Sequence, residues 1–231
     1  MNLRSCVVIP AYNAAQTIGP LVRQIKGLGL DTVVVNDGST DETAEAASAA
    51  GALVMSHLGN LGKGSALRTG FAFALREGYD SVVTLDGDGQ HDPTEIPRLL
   101  EAASQSHAAL VVGHRLVNRS SMPVSRRWTN RLMSLIVSLL ARQRIPDSQC
   151  GFRVISRQVL VTIPLSSCRF ELETELLLAA ARRGVRVLSV PIRTIYQQHD
   201  SHIHPLWDGV RFVRLVLRYL LWPPTNHRAT G

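Results

Sequence analysis

The chain has 231 residues, a length that suits one domain of ordinary size with at most a small appendage. Its hydrophobic fraction of 45% is enough for a buried core and excludes a disordered chain. The formal net charge of +7 favours an anionic partner, but only 5% of the residues are aromatic, so we expect no nucleic-acid partner.

The cysteines and the apolar stretches indicate the compartment. Cys6, Cys150 and Cys168 are widely spaced and contain no Cys-x-x-Cys pair, which argues against a zinc site and a disulfide framework and fits a reducing compartment. The first apolar run is too short for a signal peptide, and no later one approaches the roughly 20 residues that a spanning helix needs. We expect a cytoplasmic protein, either soluble or peripheral on the cytoplasmic face of a membrane.

Strands and helices alternate along the first part of the chain. Short apolar runs predict strands at 6–9, 32–35, 52–56 and 81–85, and apolar residues at helical spacing predict helices at 17–27, 42–50 and 65–77. We expect Ser39 or Thr40 to cap the second of these helices. Such alternation with short connections predicts an α/β fold with a mainly parallel sheet flanked by helices.

The second half is less regular, with predicted strands at 108–112 and 185–190 and helices at 128–140, 171–182 and 205–222. We expect one domain over residues 1–204, followed by an amphipathic helix and tail over 205–231. This last helix has an apolar face at Val210, Val213, Leu217, Leu220 and Leu221, and its arginines Arg211, Arg214 and Arg218 recur on another face. Two interpretations stay open: the helix lies on an anionic membrane surface, or it packs against the domain or a partner protein.

Asp86 and Asp88 form the strongest candidate site. They follow an apolar strand and are separated by one glycine, Gly87, which lets a ligand approach the backbone closely. Neighbouring carboxylates repel each other, and a hard divalent cation that prefers oxygen ligands offsets this electrostatic repulsion. The alternative is a polar turn, since Asp-Gly pairs are common in turns.

Three polar loops follow predicted strands, at 10–13, 36–41 and 86–91. Ligands of such sheets bind outside the carboxyl ends of the strands, so the three loops should meet at one edge. There Asp37 can accept hydrogen bonds from a nucleobase or ribose, while Ser39 or Asp41 serves as a helix cap. The glycine-rich loop 59–64 does not fit the Walker pattern, and Lys63 either lies near a diphosphate or belongs to a turn into a helix.

Seven segments, in this order, resemble the family 2 glycosyltransferases, specifically the polyprenol-phosphate mannosyl- and glucosyltransferase group. The matching segments are 9–13, 35–41, 59–64, 86–91, 113–115, 147–153 and 190–192. The resemblance implies a GT-A fold, which is Rossmann-like, and a nucleotide-sugar donor. It implies Asp86 and Asp88 as ligands of Mg²⁺ or Mn²⁺, with Asp88, Gln90 and Arg115 as the catalytic residues.

The residues expected to bind substrate come partly from the resemblance and partly from the basic clusters, because the arginine guanidinium forms bidentate hydrogen bonds with phosphate. They are Pro10, Tyr12, Asn13, Val35, Asp37, Lys63, Asp86, Gly87, Arg127, Arg131, Arg153, Ser201 and His202. Three positions depart from the family pattern, which often has Glu, Asp and a Ser-Lys pair where this chain has Ala14, Asn36 and Ser201-His202.

The implied reaction is an inverting transfer of a hexose from a GDP-mannose or UDP-glucose type of donor to a polyprenyl-phosphate-like lipid. Such a phosphate is largely ionised at neutral pH and needs no strong base. A hydroxyl acceptor is the alternative; it would need a general base, for which Asp147, Glu171 and Glu173 are candidates. A third alternative is an inactive nucleotide-sugar-binding protein.

Overall fold

The computed structural model describes residues 4–115, 124–193 and 205–221, without the side chains of 124–127 and 205–208. The strands are β1 (Ser5–Ala11), β2 (Asp31–Asn36), β3 (Leu53–Ser56), β4 (Ser81–Thr84), β5 (Leu110–Arg115), β6 (Arg153–Ser156) and β7 (Val187–Ile192). The helices are α1 (Ala15–Gly27), α2 (Thr43–Ala49), α3 (Lys63–Arg76), α4 (Ile96–Gln105), α5 (Val124–Ala141), α6 (Arg157–Thr162), α7 (Glu171–Arg182) and α8 (Pro205–Leu221). A short 3₁₀ turn, Pro93–Glu95, precedes α4.

The seven strands form one sheet in the order β3-β2-β1-β4-β6-β5-β7. Every pairing is parallel except those of β6, which runs antiparallel to both β4 and β5. The strand order changes direction beside β1 and β4, which places a ligand crevice at the carboxyl ends of these two strands. The predicted mainly parallel α/β fold is confirmed.

The central strands are buried on both faces, which is why they read as continuous apolar runs rather than as alternating ones. All seven residues of β1 and all four of β4 are buried. Helix α3 crosses β1 closely, because a Cβ at Gly70 would overlap the side chain of Val8. This tight packing fixes the positions at which β1 and β4 end and the loops after them begin.

Every predicted strand and helix is present, with ends shifted by a few residues. The prediction omitted α4, β6, α6 and the 3₁₀ turn. Of the three predicted caps of α2, Ser39 and Thr40 are wrong, because both bond to the loop after β1, and no side chain caps the helix at its N-cap residue, Glu42. Asp41, the third candidate, accepts a hydrogen bond from the backbone N–H of Thr43, the first residue of the helix, 3.1 Å away.

Helix α8 packs on α7 through one face and exposes another. Phe212 is buried, and Val216 and Tyr219 pack against the core. The predicted apolar face points away, because Val210, Val213, Leu217, Leu220 and Leu221 are each more than half exposed. None of the helices within the described ranges combines the length and the apolar character needed to cross a membrane.

Candidate active site at the carboxyl edge of the sheet

The three polar loops meet at the carboxyl edge, as predicted. The side-chain oxygen of Asn13 accepts a hydrogen bond from the backbone N–H of Thr40 at 2.9 Å, and the N–H of Asn13 donates to the Ser39 hydroxyl at 2.9 Å. The Thr17 hydroxyl, on α1, donates to the carbonyl of Gly87 at 2.6 Å. These bonds join the loops after β1, β2 and β4 into one surface.

Asp86 lies at the centre of this surface and is paired with a cation. The ammonium nitrogen of Lys63, the first residue of α3, lies 2.6 Å from Oδ1 of Asp86 and 3.1 Å from Oε2 of Glu173. Burial by itself would raise the pKa of Asp86, but the charges of Lys63 and His91 outweigh it and hold that pKa well below its usual range. Burial likewise opposes the charge on Lys63, and the two carboxylates outweigh it and raise the pKa of Lys63. Asp86 and Lys63 are therefore both charged at neutral pH.

Asp88 lies in a less favourable environment. Its Oδ1 accepts a hydrogen bond from the backbone N–H of Gln90 at 3.0 Å, which is the Asx turn expected of this sequence. Burial, and then the negative charge of Asp86, raise the pKa of Asp88. Both interpretations of the pair therefore have support, because the polar turn forms and the two carboxylates still repel each other.

His91 supports Asp86 from the other side. Its Nε2 lies 3.8 Å from Oδ2 of Asp86, and its ring stacks at a tilt on Phe152, with 5.5 Å between the ring centroids. The residue is 3% exposed, and its Nδ1 is buried without a hydrogen-bond partner. The sequence predicts no separate role for His91, because a lone histidine carries no spacing signal.

Asp37 is buried beneath the glycine-rich loop. It is 3% exposed; its Oδ1 lies 2.7 Å from Nδ1 of His57 and accepts the N–H of Leu61 at 3.0 Å, while Oδ2 accepts the N–H of Gly62 at 2.7 Å. The other ring nitrogen of His57 lies 2.9 Å from the Thr69 hydroxyl. Asp37 thus anchors the loop that leads into α3, and its contact with a nucleotide stays a prediction.

Arg115 and Asp147 form a bidentate ion pair. Nε and one terminal nitrogen of Arg115 donate to the two carboxylate oxygens at 2.7 and 2.9 Å. Burial alone would raise the pKa of Asp147, but the hydrogen bonds and charge of Arg115 lower it. A carboxylate held in this way is a poor proton acceptor, which bears on the choice of acceptor below.

Arg153 does not face the cleft. It is 1% exposed, and its guanidinium donates to the backbone carbonyls of Ser148, Cys150 and Glu173 at 2.7 to 2.9 Å. These bonds fix the segment 147–151 and the start of α7. Arg153 therefore supports the backbone of the site, and its expected contact with a phosphate stays a prediction.

The remaining predicted residues divide into three groups. Pro10 and Val35 are buried in β1 and β2, so only their backbone can meet a ligand, whereas Tyr12 and Gln90 are half-buried at the edge. Arg131 is exposed on α5, with its guanidinium carbon 5.8 Å from the ring centroid of Trp128. Ser201, His202 and the side chain of Arg127 lie outside the described residues.

Known proteins match this chain over most of its length. The family model described as "Glycosyl transferase family 2" matches residues 6–163. A UDP-N-acetylglucosamine–dolichyl-phosphate N-acetylglucosaminyltransferase of Methanococcus voltae is 31% identical over 84% of this chain and 86% of its own. A polyprenol monophosphomannose synthase of Mycolicibacterium smegmatis is 32% identical over 82% of this chain and 76% of its own.

Solved structures share the fold. Glucosyl-3-phosphoglycerate synthase of Mycobacterium tuberculosis, crystallised with phosphoglyceric acid, has a TM-score of 0.71 and 25% identity, and the match covers 95% of this chain and 79% of that one. The sheet and the polar edge that it carries define a GT-A glycosyltransferase. The chain belongs to glycosyl transferase family 2, and it is an enzyme of the hexosyltransferase type. The named relatives confirm the resemblance to the polyprenol-phosphate group.

Proposed function

We propose that this hexosyltransferase moves a hexose from a nucleotide sugar to a polyprenyl phosphate, with a divalent cation bound at Asp86 and Asp88. The observation that carries the proposal is the carboxylate pair at the end of β4 with the Lys63 ammonium 2.6 Å from Asp86. Lys63 also begins α3, and the N-terminal end of a helix attracts phosphate. Carboxylates for a cation and donors for a diphosphate thus occur side by side.

The two aspartates fit an ion that takes only part of its shell from protein. Within the described part of the chain, no cluster of three or more His, Cys, Asp or Glu side chains could hold a metal. Mg²⁺ commonly takes one or two carboxylates and completes its shell with substrate phosphate and water, which suits this pair. The raised pKa of Asp88 reflects its burial and then the negative charge of Asp86, and a bound cation would favour the ionised form of Asp88. When bound, the ion would stabilise the leaving nucleoside diphosphate.

The state of the candidate bases favours a phosphate acceptor. Asp147 is paired with Arg115, and Glu173 with Lys63, so two of the three candidates are already engaged by a basic side chain. A hydroxyl acceptor would need one of them to take a proton, whereas a phosphate monoester is already largely ionised at neutral pH. Arg115, at the end of β5, lies on the edge where such an anion would be placed.

Two exposed apolar surfaces support a lipid acceptor. The α5 stripe consists of Trp128, Leu132, Leu135 and Leu139, and the α8 stripe of Val210, Val213, Leu217, Leu220 and Leu221, each residue more than half exposed. Both helices pack on α7, and Arg214 and Arg218 are exposed on α8. Apolar stripes beside arginines suit an anionic membrane surface, from which a polyprenyl phosphate would be presented. We therefore include peripheral attachment to the cytoplasmic face of a membrane in the proposal.

Two measurements test the proposal. A thermal-shift screen of GDP- and UDP-sugars, each with Mn²⁺ and with EDTA, should reveal stabilisation by one nucleotide class that depends on the ion. Turnover of that donor should then occur with a polyprenyl phosphate and should be lost in Asp88→Ala. Turnover with free sugars or glycans but not with the lipid phosphate would favour a hydroxyl acceptor. Binding without any transfer would favour an inactive binding protein.

A further inference from the structure

Glu173 is a buried carboxylate of the site to which the proposed reaction gives no task. It lies in the first turn of α7, its side chain is 10% exposed, and Oε2 lies 3.1 Å from the ammonium nitrogen of Lys63. The same nitrogen is paired with Asp86 at 2.6 Å. Lys63 therefore bridges a carboxylate at the end of β4 and a carboxylate on α7.

The backbone around this bridge is packed too closely to move independently. The N–H of Ser65 donates to the carbonyl of Cys168 at 2.9 Å, which joins the start of α3 to the loop before α7. A Cβ at Gly62 or at Gly64 would lie 2.6 Å from backbone atoms of Cys168. The distance between the starts of the two helices is thus fixed, and so is the distance from Glu173 to Lys63.

We propose that Glu173 is a positioning residue that holds the Lys63 ammonium at the donor-phosphate position of the cleft. This inference rests on the proposed function, because it assumes that a nucleoside diphosphate binds beside Asp86. Lysine has a flexible four-carbon chain and a strongly hydrated charge, so a single partner would leave the ammonium free to turn towards solvent. With Glu173 as a permanent partner, Lys63 stays in the cleft whether its second partner is Asp86 or a phosphate.

A direct catalytic role for Glu173 predicts a different result. A general base acts on the acceptor, so its loss would lower kcat whether or not Lys63 is present. A positioning residue acts only through Lys63, so its loss would have no further effect once Lys63 is replaced. A double-mutant cycle separates the two roles.

The experiment compares wild type, Glu173→Gln, Lys63→Gln and the double variant. Calorimetry with the nucleoside diphosphate of the preferred donor and Mn²⁺ gives Kd, and turnover gives kcat and KM for the donor. We expect Glu173→Gln to weaken diphosphate binding by about tenfold, the size of one charge-assisted hydrogen bond, and to change kcat by less than about threefold. In the Lys63→Gln background the same change should leave Kd unaltered.

Controls separate this inference from loss of the fold and from the proposed function. Glu101→Gln removes an exposed carboxylate on α4 and should leave Kd and kcat as in wild type. Glu173→Asp, which keeps the charge on a shorter side chain, carries the test if Glu173→Gln does not fold, and it should give an intermediate Kd. Equal losses of kcat in both Lys63 backgrounds, or an unchanged Kd in Glu173→Gln, would overturn the positioning role while the proposed function stands. If wild type binds no nucleoside diphosphate with Mn²⁺, both proposals are wrong.

Discussion

A Cβ atom at Gly151 would lie 2.6 Å from each carboxylate oxygen of Asp86, so the backbone of residue 151 forms one wall around that carboxylate. The Thr84 hydroxyl fixes this wall by donating to the carbonyl of Gly151 at 2.6 Å. The antiparallel pairing of β6 with β4 brings the two segments together, since Thr84 pairs with Arg153. Asp86 is therefore placed by a part of the chain more than 60 residues away in sequence.

Gly151→Ala should reduce turnover strongly with little effect on folding. The added methyl group must displace the Asp86 carboxylate, and a displacement of about 1 Å at a reacting centre can cost on the order of 10²-fold in rate. Circular dichroism should remain that of wild type. Gly27→Ala is the matched control, because a Cβ at Gly27 has no neighbour within 4 Å. Full activity in Gly151→Ala would mean that the position of Asp86 does not matter for turnover.

Asp88→Asn should stabilise the cation-free protein while abolishing turnover. Asparagine keeps the acceptor for the N–H of Gln90 and removes the charge that Asp86 repels. For a domain of this length, each kcal/mol of relief corresponds to a rise of about 2–4 °C in Tm. Scanning fluorimetry in EDTA at pH 7 measures the difference, and Mn²⁺ with donor should then stabilise wild type but not the variant.

The pH dependence of that difference follows from the raised pKa of Asp88. A carboxyl whose pKa is higher in the folded state than the ordinary 3.8 holds its proton more tightly when folded. The contribution of Asp88 to the stability of wild type therefore decreases as the pH rises from 3.8 through the raised pKa and then stays constant. The Tm advantage of Asp88→Asn should be full at pH 7 and should shrink as the pH approaches about 4. An advantage that grows towards acid would contradict the assignment.

The sequence predicts the regular half of the fold well because its strands are buried on both faces and its helices are bounded by glycine. It does not predict β6, which lies between β4 and β5 in the sheet. This strand has four residues, which are too few to show a regular pattern of apolar and polar positions. Its direction follows from tertiary pairing alone. Ser39 and Thr40 do not cap α2 for a similar reason, since their hydroxyls bond to the loop after β1.

The candidate site could be predicted only as far as neighbouring residues define it. Asp86, Asp88 and Lys63 stand in short ordered motifs, and the structure brings them to one edge. Arg153 shows the limit, because its charge suggests phosphate binding while its burial among backbone carbonyls depends on the packing of β6 and α7. Contacts between distant segments, such as that of Glu173 with Lys63, have no spacing that a sequence can show.

Breaking the ion pair between Arg115 and Asp147 should cost more than removing both partners. Each side chain is about 15% exposed or less, so Arg115→Ala leaves a largely desolvated carboxylate without its cation. We expect each single alanine variant to lose on the order of 2–3 kcal/mol, somewhat less than a fully buried pair, and the double variant to lose less than the sum. Urea unfolding at pH 7 measures the three values. Strict additivity would show that the pair contributes no coupling.

Cys168 should be the only cysteine that reacts with a thiol reagent in the folded protein. Burial, followed by a nearby carboxylate, raises the pKa of Cys6 and that of Cys150 to about 12, whereas Cys168 is exposed. Titration with a chromogenic disulfide at pH 8 should give one thiol per chain in buffer and three in guanidinium. Cys168→Ser should react with none before unfolding. More than one native thiol would contradict the packing around β1 or around residue 150.

Charged residues on the α8 stripe should weaken attachment to membranes without unfolding the protein. Val213→Glu and Leu217→Glu change residues that are more than half exposed, so the contacts of Phe212 and Tyr219 with the domain remain. Two charges on the apolar side of an interfacial helix oppose its burial in lipid and repel an anionic surface. Vesicles of phosphatidylcholine and phosphatidylserine should therefore carry wild type but not the double variant in a flotation assay. The control is Val161→Glu, an exposed apolar residue on α6 outside both stripes. Equal flotation of wild type and the double variant would show that the α8 stripe is not a membrane-binding surface.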